Sequence, residues 1–228
     1  MKFRNIIINT FLCALAVNMV ACQKQDHAYE QFVKDGERIY IGKVVEVVAK
    51  PGKGRVGLSW GVFDSRAKKI KIKYNDGLDS IMLDVTKTES VDYMDVVINN
   101  LQERLYSFQI YTLDGYGNQS VARTIDCQSY GENYRKTLNN RFISSAVKSG
   151  KNLNMNWLSS KSPVVETEIE YFDATTGESK VVKLPVATNT ITLTNVKFDQ
   201  GLRYRTKYSP TDNALDYFYS DYSTFKIN

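Results

Sequence analysis

Cysteine and histidine are scarce in this chain, and their scarcity removes most reactive chemistry at the outset. The 228 residues include 3 cysteines and 1 histidine. Cys13 falls inside the leading apolar run and Cys22 just after it, so Cys127 stands alone in the body of the chain. An intramolecular disulfide is therefore excluded, and the fold must be held by apolar cores. His27 sits in a polar stretch near the N-terminus, so a Ser–His or Cys–His pair would have to borrow a tether. Cys127 has no companions for a zinc site, and no metal or cofactor is expected. Long apolar runs are missing too. Ile6 to Val20 is 15 residues, broken by Asn9, Thr10 and Asn18, against the roughly 20 that span a bilayer as a helix. Nor is either charge in large excess. Without residues 1–21, which carry Lys2 and Arg4, 28 basic residues face 25 acidic ones. A balance of +3 gives no bulk attraction to nucleic acid.

What the N-terminus does contain is an export signal: Lys2 and Arg4, the apolar run, then Met19-Val20-Ala21-Cys22. Small residues ahead of Cys22 resemble a bacterial lipobox, in which the thiol is acylated. The plainer alternative is an ordinary secretory signal cut near Ala21. Gln23 to Ala28 is polar and suits a leash behind a lipidated end. Several acyl chains at ~0.8 kcal/mol per buried methylene would hold such a protein to membrane.

The body of the chain is organised by a repeat. Trp60 and Trp157, each closing a period-2 run, lie 97 positions apart. Tyr74 and Tyr171 repeat at 97, Asn100 and Asn195 at 95, and Tyr106 and Tyr204 at 98. Strands are expected at 44–49, 55–60, 69–74, 80–85, 94–99, 105–111 and 120–125, then at 143–148, 152–157, 166–172, 180–184, 190–194, 202–208 and 222–227. Pro51-Gly52, Asn75-Asp76-Gly77 and Asp114-Gly115-Tyr116-Gly117-Asn118 supply turns. The expected fold is all-β: two tandem seven-stranded fibronectin type III or immunoglobulin-like sandwiches joined by a short helical linker. Residues 1–21 are the signal, 22–43 the tether, 44–126 the first sandwich, 127–141 the linker and 142–228 the second. Tyr106 and Tyr204 occupy the place of a corner tyrosine before the penultimate strand.

Candidate functional residues fall on strand faces and one loop. Lys69, Lys71 and Lys73 share a face opposite Ile70, Ile72 and Tyr74. That lysine row is either solvated or a patch for an acidic glycan or membrane headgroup. Glu166, Glu168 and Glu170 are expected to face Arg203, Arg205 and Lys207 on a neighbouring strand, as stabilising pairs. Such carboxylates stand about 7 Å apart, within the range of inverting glycosidases, but a flat charge-paired face has no cleft. Asp114 and Asn118 suit a tight hairpin better than a calcium ion. Trp60 and Trp157 fit a core better than a sugar platform. The loop before the last strand differs between copies. Aligning Ser120 with Ser223 gives 8 residues in the first, Thr112–Gln119, and 13 in the second, Pro210–Tyr222. The longer loop carries Tyr217, Phe218, Tyr219 and Tyr222, which either bind a ligand or pack on the protein's own domains.

Several stretches resemble a known family: Tyr40-Ile41-Gly42-Lys43, Pro51-Gly52-Lys53-Gly54-Arg55-Val56, Tyr130-Gly131-Glu132-Asn133-Tyr134, Leu138-Asn139-Asn140-Arg141, Leu202-Arg203-Tyr204-Arg205-Thr206 and Asp216-Tyr217-Phe218-Tyr219-Ser220-Asp221-Tyr222. The chain is similar in these to Bacteroidetes envelope lipoproteins catalogued as a domain of unknown function. The resemblance implies a lipoprotein from a nutrient-acquisition locus and supplies no catalytic residues. The expected function is therefore non-enzymatic: an outer-membrane protein anchored through Cys22 that captures a glycan or protein at the cell surface. The alternative is a structural spacer of an outer-membrane complex, and the periplasmic face remains open.

Overall fold

Alternation of apolar and polar residues places each strand with one face inward, and β-branched and aromatic side chains fill those inward positions. A computed structural model describes residues 40–227, so the expected signal, Cys22 and the tether as far as residue 39 lie outside the described residues, while Ile41, placed in the tether above, is buried in the first core. The chain runs β1 (Val45–Pro51), β2 (Val56–Val62), β3 (Lys69–Tyr74), β4 (Asp79–Asp84), β5 (Asp92–Ile98), β6 (Arg104–Leu113) and β7 (Arg123–Ser129). A short helix, α1 (Glu132–Lys136), follows. The second half runs β8 (Ile143–Ser149), β9 (Asn152–Trp157), β10 (Val164–Phe172), β11 (Ser179–Pro185), β12 (Thr190–Leu193), β13 (Leu202–Tyr208), β14 (Phe218–Tyr219) and β15 (Ser223–Phe225).

In the first half β1-β2-β5 form one antiparallel sheet and β4-β3-β6-β7 the other. The second half repeats the order, with β12-β9-β8 facing β11-β10-β13, and with β14 and β15 both paired to β13. A three-stranded sheet of strands one, two and five against a sheet built on three, four, six and seven is the fibronectin type III order. Each copy has its own core. Trp60, Ile70, Ile72, Phe108 and Ile110 are fully buried in the first. Leu153, Met155, Trp157, Ile169 and Leu193 are buried in the second.

Backbone irregularities repeat along with the strands. The first strand of each copy is bulged, between Val45 and Val48 and between Ile143 and Ser145. The loop before the sixth strand holds an asparagine in the left-handed region in each copy, Asn100 at φ 58° and Asn195 at φ 51°. Asparagine accepts that region where a branched residue would not. The corner tyrosine is formed in the first copy, where the Tyr106 hydroxyl accepts the Gln102 N–H at 3.0 Å. Tyr204 does not take the corner place expected of it: it pairs with Ile169 as Ile110 pairs with Ile72, and it stands edge-on to Trp157 with ring centres 5.1 Å apart.

Two further expectations need correction. The first sandwich's last strand starts at Arg123 rather than Ser120 and runs to Ser129. Ser120 is held back because its hydroxyl accepts the buried Thr112 N–H. Cys127, assigned above to the linker, therefore lies in this strand, and its thiol is in the first core with its pKa raised by burial. The second copy's last strand is interrupted between Tyr219 and Ser223, where the chain turns its side chains to the contacts described below.

Ile72 and Ile169 occupy matching central positions and are 0% exposed. Each truncation to alanine leaves a cavity that the surrounding sheets cannot close. Ile72→Ala and Ile169→Ala should each cost about 2–5 kcal/mol in chemical denaturation.

Candidate functional site

The long loop of the second copy is built on a device that both copies share. In the first copy the Thr112 N–H donates to Ser120 Oγ at 3.0 Å, and the Ser120 N–H returns to the Thr112 carbonyl at 2.9 Å. In the second, the Thr206 N–H donates to Ser220 Oγ at 2.9 Å, and the Ser220 N–H returns at 3.0 Å. The structural equivalent of Ser120 is thus Ser220, not Ser223. The two residues are 8 positions apart in one copy and 14 in the other. The additional residues lie between Thr206 and Ser220.

That inserted segment crosses to the first sandwich. Asn213 Nδ2 donates to the Ala49 carbonyl at 3.1 Å, and the Leu215 N–H to the Pro51 carbonyl at 2.7 Å. Asp216 Oδ2 accepts the Lys53 N–H at 2.8 Å and Arg55 Nε at 2.9 Å, while Oδ1 accepts Arg55 Nη2 at 2.6 Å. This two-pronged guanidinium–carboxylate pair fixes orientation as well as distance. Leu215 lies on Gly57 of β2, where an added Cβ would stand 3.3 Å from Leu215 Cδ1. Phe218, 2% exposed, is edge-on to Tyr134 at 5.1 Å and to Tyr130 at 6.1 Å. Tyr130 itself is pinned to the first sandwich, its N–H donating to Gly52 and its carbonyl accepting from Gly54.

The linker completes the junction. Glu103 of the first sandwich accepts the N–H groups of Asn133 at 2.7 Å and Tyr134 at 2.6 Å, closing the open first turn of α1. Asn140 donates to the Asp221 carbonyl and Ser223 Oγ, and accepts from Ser220 Oγ and Thr206 Oγ1. Arg141 is 5% exposed, and its guanidinium donates to the carbonyls of Leu158 and Thr188 and to Asn189 Oδ1. Burial pulls its pKa below the ordinary arginine value.

Beyond Phe218 the loop returns along β13 and lays its tyrosines over that strand's cations. Lys207 lies 4.0 Å from the Tyr217 ring centre, and Arg205 lies 4.1 Å from Tyr219 and 4.8 Å from Tyr222. Arg203 lies 4.5 Å from Tyr222. Beneath the cations run the β10 carboxylates in the expected register, Glu166 opposite Lys207, Glu168 opposite Arg205 and Glu170 opposite Arg203. The N···O distances are 3.2, 2.7 and 2.8 Å. Each cation–ring contact is worth about 0.5–1 kcal/mol at such exposure. The tyrosines thereby hold the broken last strand to β13 where ladder hydrogen bonds are few.

Residues 22–218 match the DUF4998 family, described as a domain of unknown function. The chain belongs to that family. No curated protein matches it significantly. Solved structures similar to this DUF4998 member include a two fibronectin type III domain segment from chicken tenascin, at 14% identity over 81% of this chain and 98% of that one, TM-score 0.29. The chicken CNTN1 FN1-FN3 domains are 15% identical over 82% of this chain and 64% of that one, TM-score 0.39. The fold assignment rests on the strand order given above.

Of the residues expected to bind a ligand, Phe218 is withdrawn, because it is buried in the junction. Tyr219 is half-buried on Arg205, and Tyr217 and Tyr222 keep 55% and 41% of their surface. The lysine row also changes. Lys69 pairs with Asp84 at 2.7 Å, Lys73 leans towards the Tyr111 ring at 5.8 Å, and Lys71 stands between Met82 and Tyr111. Asp114 is occupied by its own turn, accepting from the N–H groups of Tyr116 and Asn118 and from Asn118 Nδ2. Sequence reasoning missed the pairing of Arg55 with Asp216. The signal was present, since both residues lie in stretches that carry the family resemblance, but 161 positions separate them.

Arg55 holds the Asp216 carboxyl below its ordinary range, as Arg66 does for Asp64, and Lys87 and Lys180 hold Asp92 and Asp173 at about 2. A depressed folded-state pKa stabilises above the unfolded value of about 3.9, and that contribution is lost as pH falls through the folded value. Melting temperature should therefore be flat from about pH 5 to 8 and decline below about pH 4. Asp216→Asn should melt lower than the parent at neutral pH, with the gap closing in acid.

Proposed function

We propose that this DUF4998 member is a non-catalytic scaffold of the cell envelope, anchored by a lipid at Cys22. The first sandwich holds the second in a fixed orientation, and the second presents its tyrosine–arginine face to an outer-membrane partner. The observation that carries this reading is the use made of the long loop. In a sandwich of this type such a loop is free to vary and to recognise, yet here Asn213, Leu215, Asp216 and Phe218 are all spent on the neighbouring sandwich. A junction carrying an ion pair, backbone hydrogen bonds and a buried aromatic cluster resists the relative motion that separate domains ordinarily show.

The stretches that carry the family resemblance support the same reading, because most of them meet at this junction. The turn at 51–56, the segments at 130–134 and 138–141, and the loop at 216–222 all contribute contacts across or beside it. Anchoring is supported by the lipobox-like residues before Cys22 and by a family match that starts at residue 22.

Backbone amide relaxation should return a single rotational correlation time for both sandwiches. In Asp216→Ala/Phe218→Ala the two should separate, with the amide spectrum of each core retained. Independent tumbling in the parent protein would overturn the scaffold reading. For the anchor, mass spectrometry of the membrane fraction should find Cys22 acylated, and Cys22→Ala should move the protein to the soluble fraction. An unmodified Cys22 in membrane-bound protein counts against it.

A further inference from the structure

We infer that the first sandwich carries a saccharide-binding pocket between its β3–β4 turn and its β5–β6 loop. The cavity has a volume of about 360 Å³, at the lower end of the range of about 300–1,000 Å³ for small-ligand pockets. Its working groups are Asn75, Asp79, Asn99, Asn100, Gln102 and Arg104. Four carboxamides, one carboxylate and one guanidinium make a lining of mixed donors and acceptors with no net charge. Each carboxamide brings two donor hydrogens and an acceptor oxygen. A hydroxyl is donor and acceptor at once, so a ligand dense in hydroxyls can satisfy this set. A simple anion or cation would leave half of it unanswered, and an apolar ligand nearly all of it.

Several of these groups are positioned and still available. Arg104 Nη2 donates to Asn75 Oδ1, and the guanidinium lies 4.5 Å from the centre of the Tyr106 ring. Asn75 Nδ2 donates to Asp79 Oδ2 at 2.8 Å. Among the described residues Arg104 makes no ion pair, and the side-chain amides of Asn100 and Gln102 make no hydrogen bond. The backbone beneath is held in the left-handed region at Asn75, Asp76 and Asn100, with φ of 54°, 55° and 58°. Such conformations persist only where surrounding structure enforces them, so the amides are carried on a fixed frame.

The duplicate copy shows that the fold does not call for these side chains. The strand register equates Thr112 with Thr206 and therefore Arg104 with Phe198, which packs against the core of the second copy with Lys148 over its ring. The turn matching Asn75–Gly77 carries Asp173, whose carboxylate is consumed by Lys180 and by the N–H groups of Thr175 and Thr176. Two sandwiches of one topology thus differ at this corner. The first has an open polar pocket where the second has a phenylalanine and a closed ion pair.

The pocket is independent of the scaffold reading, which stands or falls on the junction. Its test uses the full mature chain and immobilised cellohexaose, mannohexaose, chitohexaose and oligogalacturonate, followed by titration calorimetry with the retained sugar. Gln102→Ala/Arg104→Leu changes two exposed side chains outside the core, so the fold should survive with little change in melting temperature. Affinity should fall about tenfold or more, the loss expected of one or two hydrogen bonds to charged or amide groups. Tyr217→Ala/Tyr222→Ala should bind as the parent does, and retention should be unmoved by about 0.5 M salt. Failure of all four sugars to bind overturns the proposal. So does binding unchanged in Gln102→Ala/Arg104→Leu, or lost instead in the tyrosine pair, which would place the site on the second copy's face.

Discussion

Asp216 belongs to the second sandwich, yet its two oxygens accept the Lys53 N–H and the Nε and Nη2 hydrogens of Arg55, all from the first. A carboxylate that is satisfied across a domain boundary fixes the orientation of the two bodies more narrowly than an apolar patch of equal size, because each of its hydrogen bonds is directional. The position of Leu215 over Gly57, the burial of Phe218 among Tyr130 and Tyr134, and the capping of α1 by Glu103 are consistent with that single registration. The two cores remain separate, one in each sandwich. From Ile41 onward the chain nevertheless forms one compact unit.

The duplication makes the divergence between copies readable. Where both copies agree, the fold supplies the reason: a tryptophan in the second strand, a bulge in the first, a left-handed asparagine before the sixth, and a threonine–serine exchange of hydrogen bonds near its end. Where they differ, the fold is indifferent and the residue answers to something else. The inserted loop and the replacement of Arg104 by Phe198 are the clearest cases. One makes a junction and the other removes a pocket.

The second copy's outer face has three layers, carboxylates on β10, cations on β13, and tyrosine rings above the cations. Glu168 in the lowest layer is only 7% exposed although it is charged. It tolerates that position because Arg205 bonds it directly and is itself sandwiched by Tyr219 and Tyr222. Charge and ring each cover the unfavourable side of the other, so a row of alternating signs becomes a firm surface with two exposed aromatic faces.

Much of this was legible in the sequence, for identifiable reasons. Period-2 alternation decided that Ile70 and Ile72 turn inward, and that the β10 glutamates meet the β13 cations, because strand geometry converts spacing directly into facing. The repeat of Trp60 in Trp157 decided the number of sandwiches. Local pattern says nothing about contacts between residues distant along the chain, since closing them depends on where whole sheets come to rest. Whether Gln102 and Arg104 opened onto a common cavity was decided when the first sandwich closed on itself, and whether Phe218 faced solvent and whether Arg55 found Asp216 were decided only when both sandwiches were set against each other.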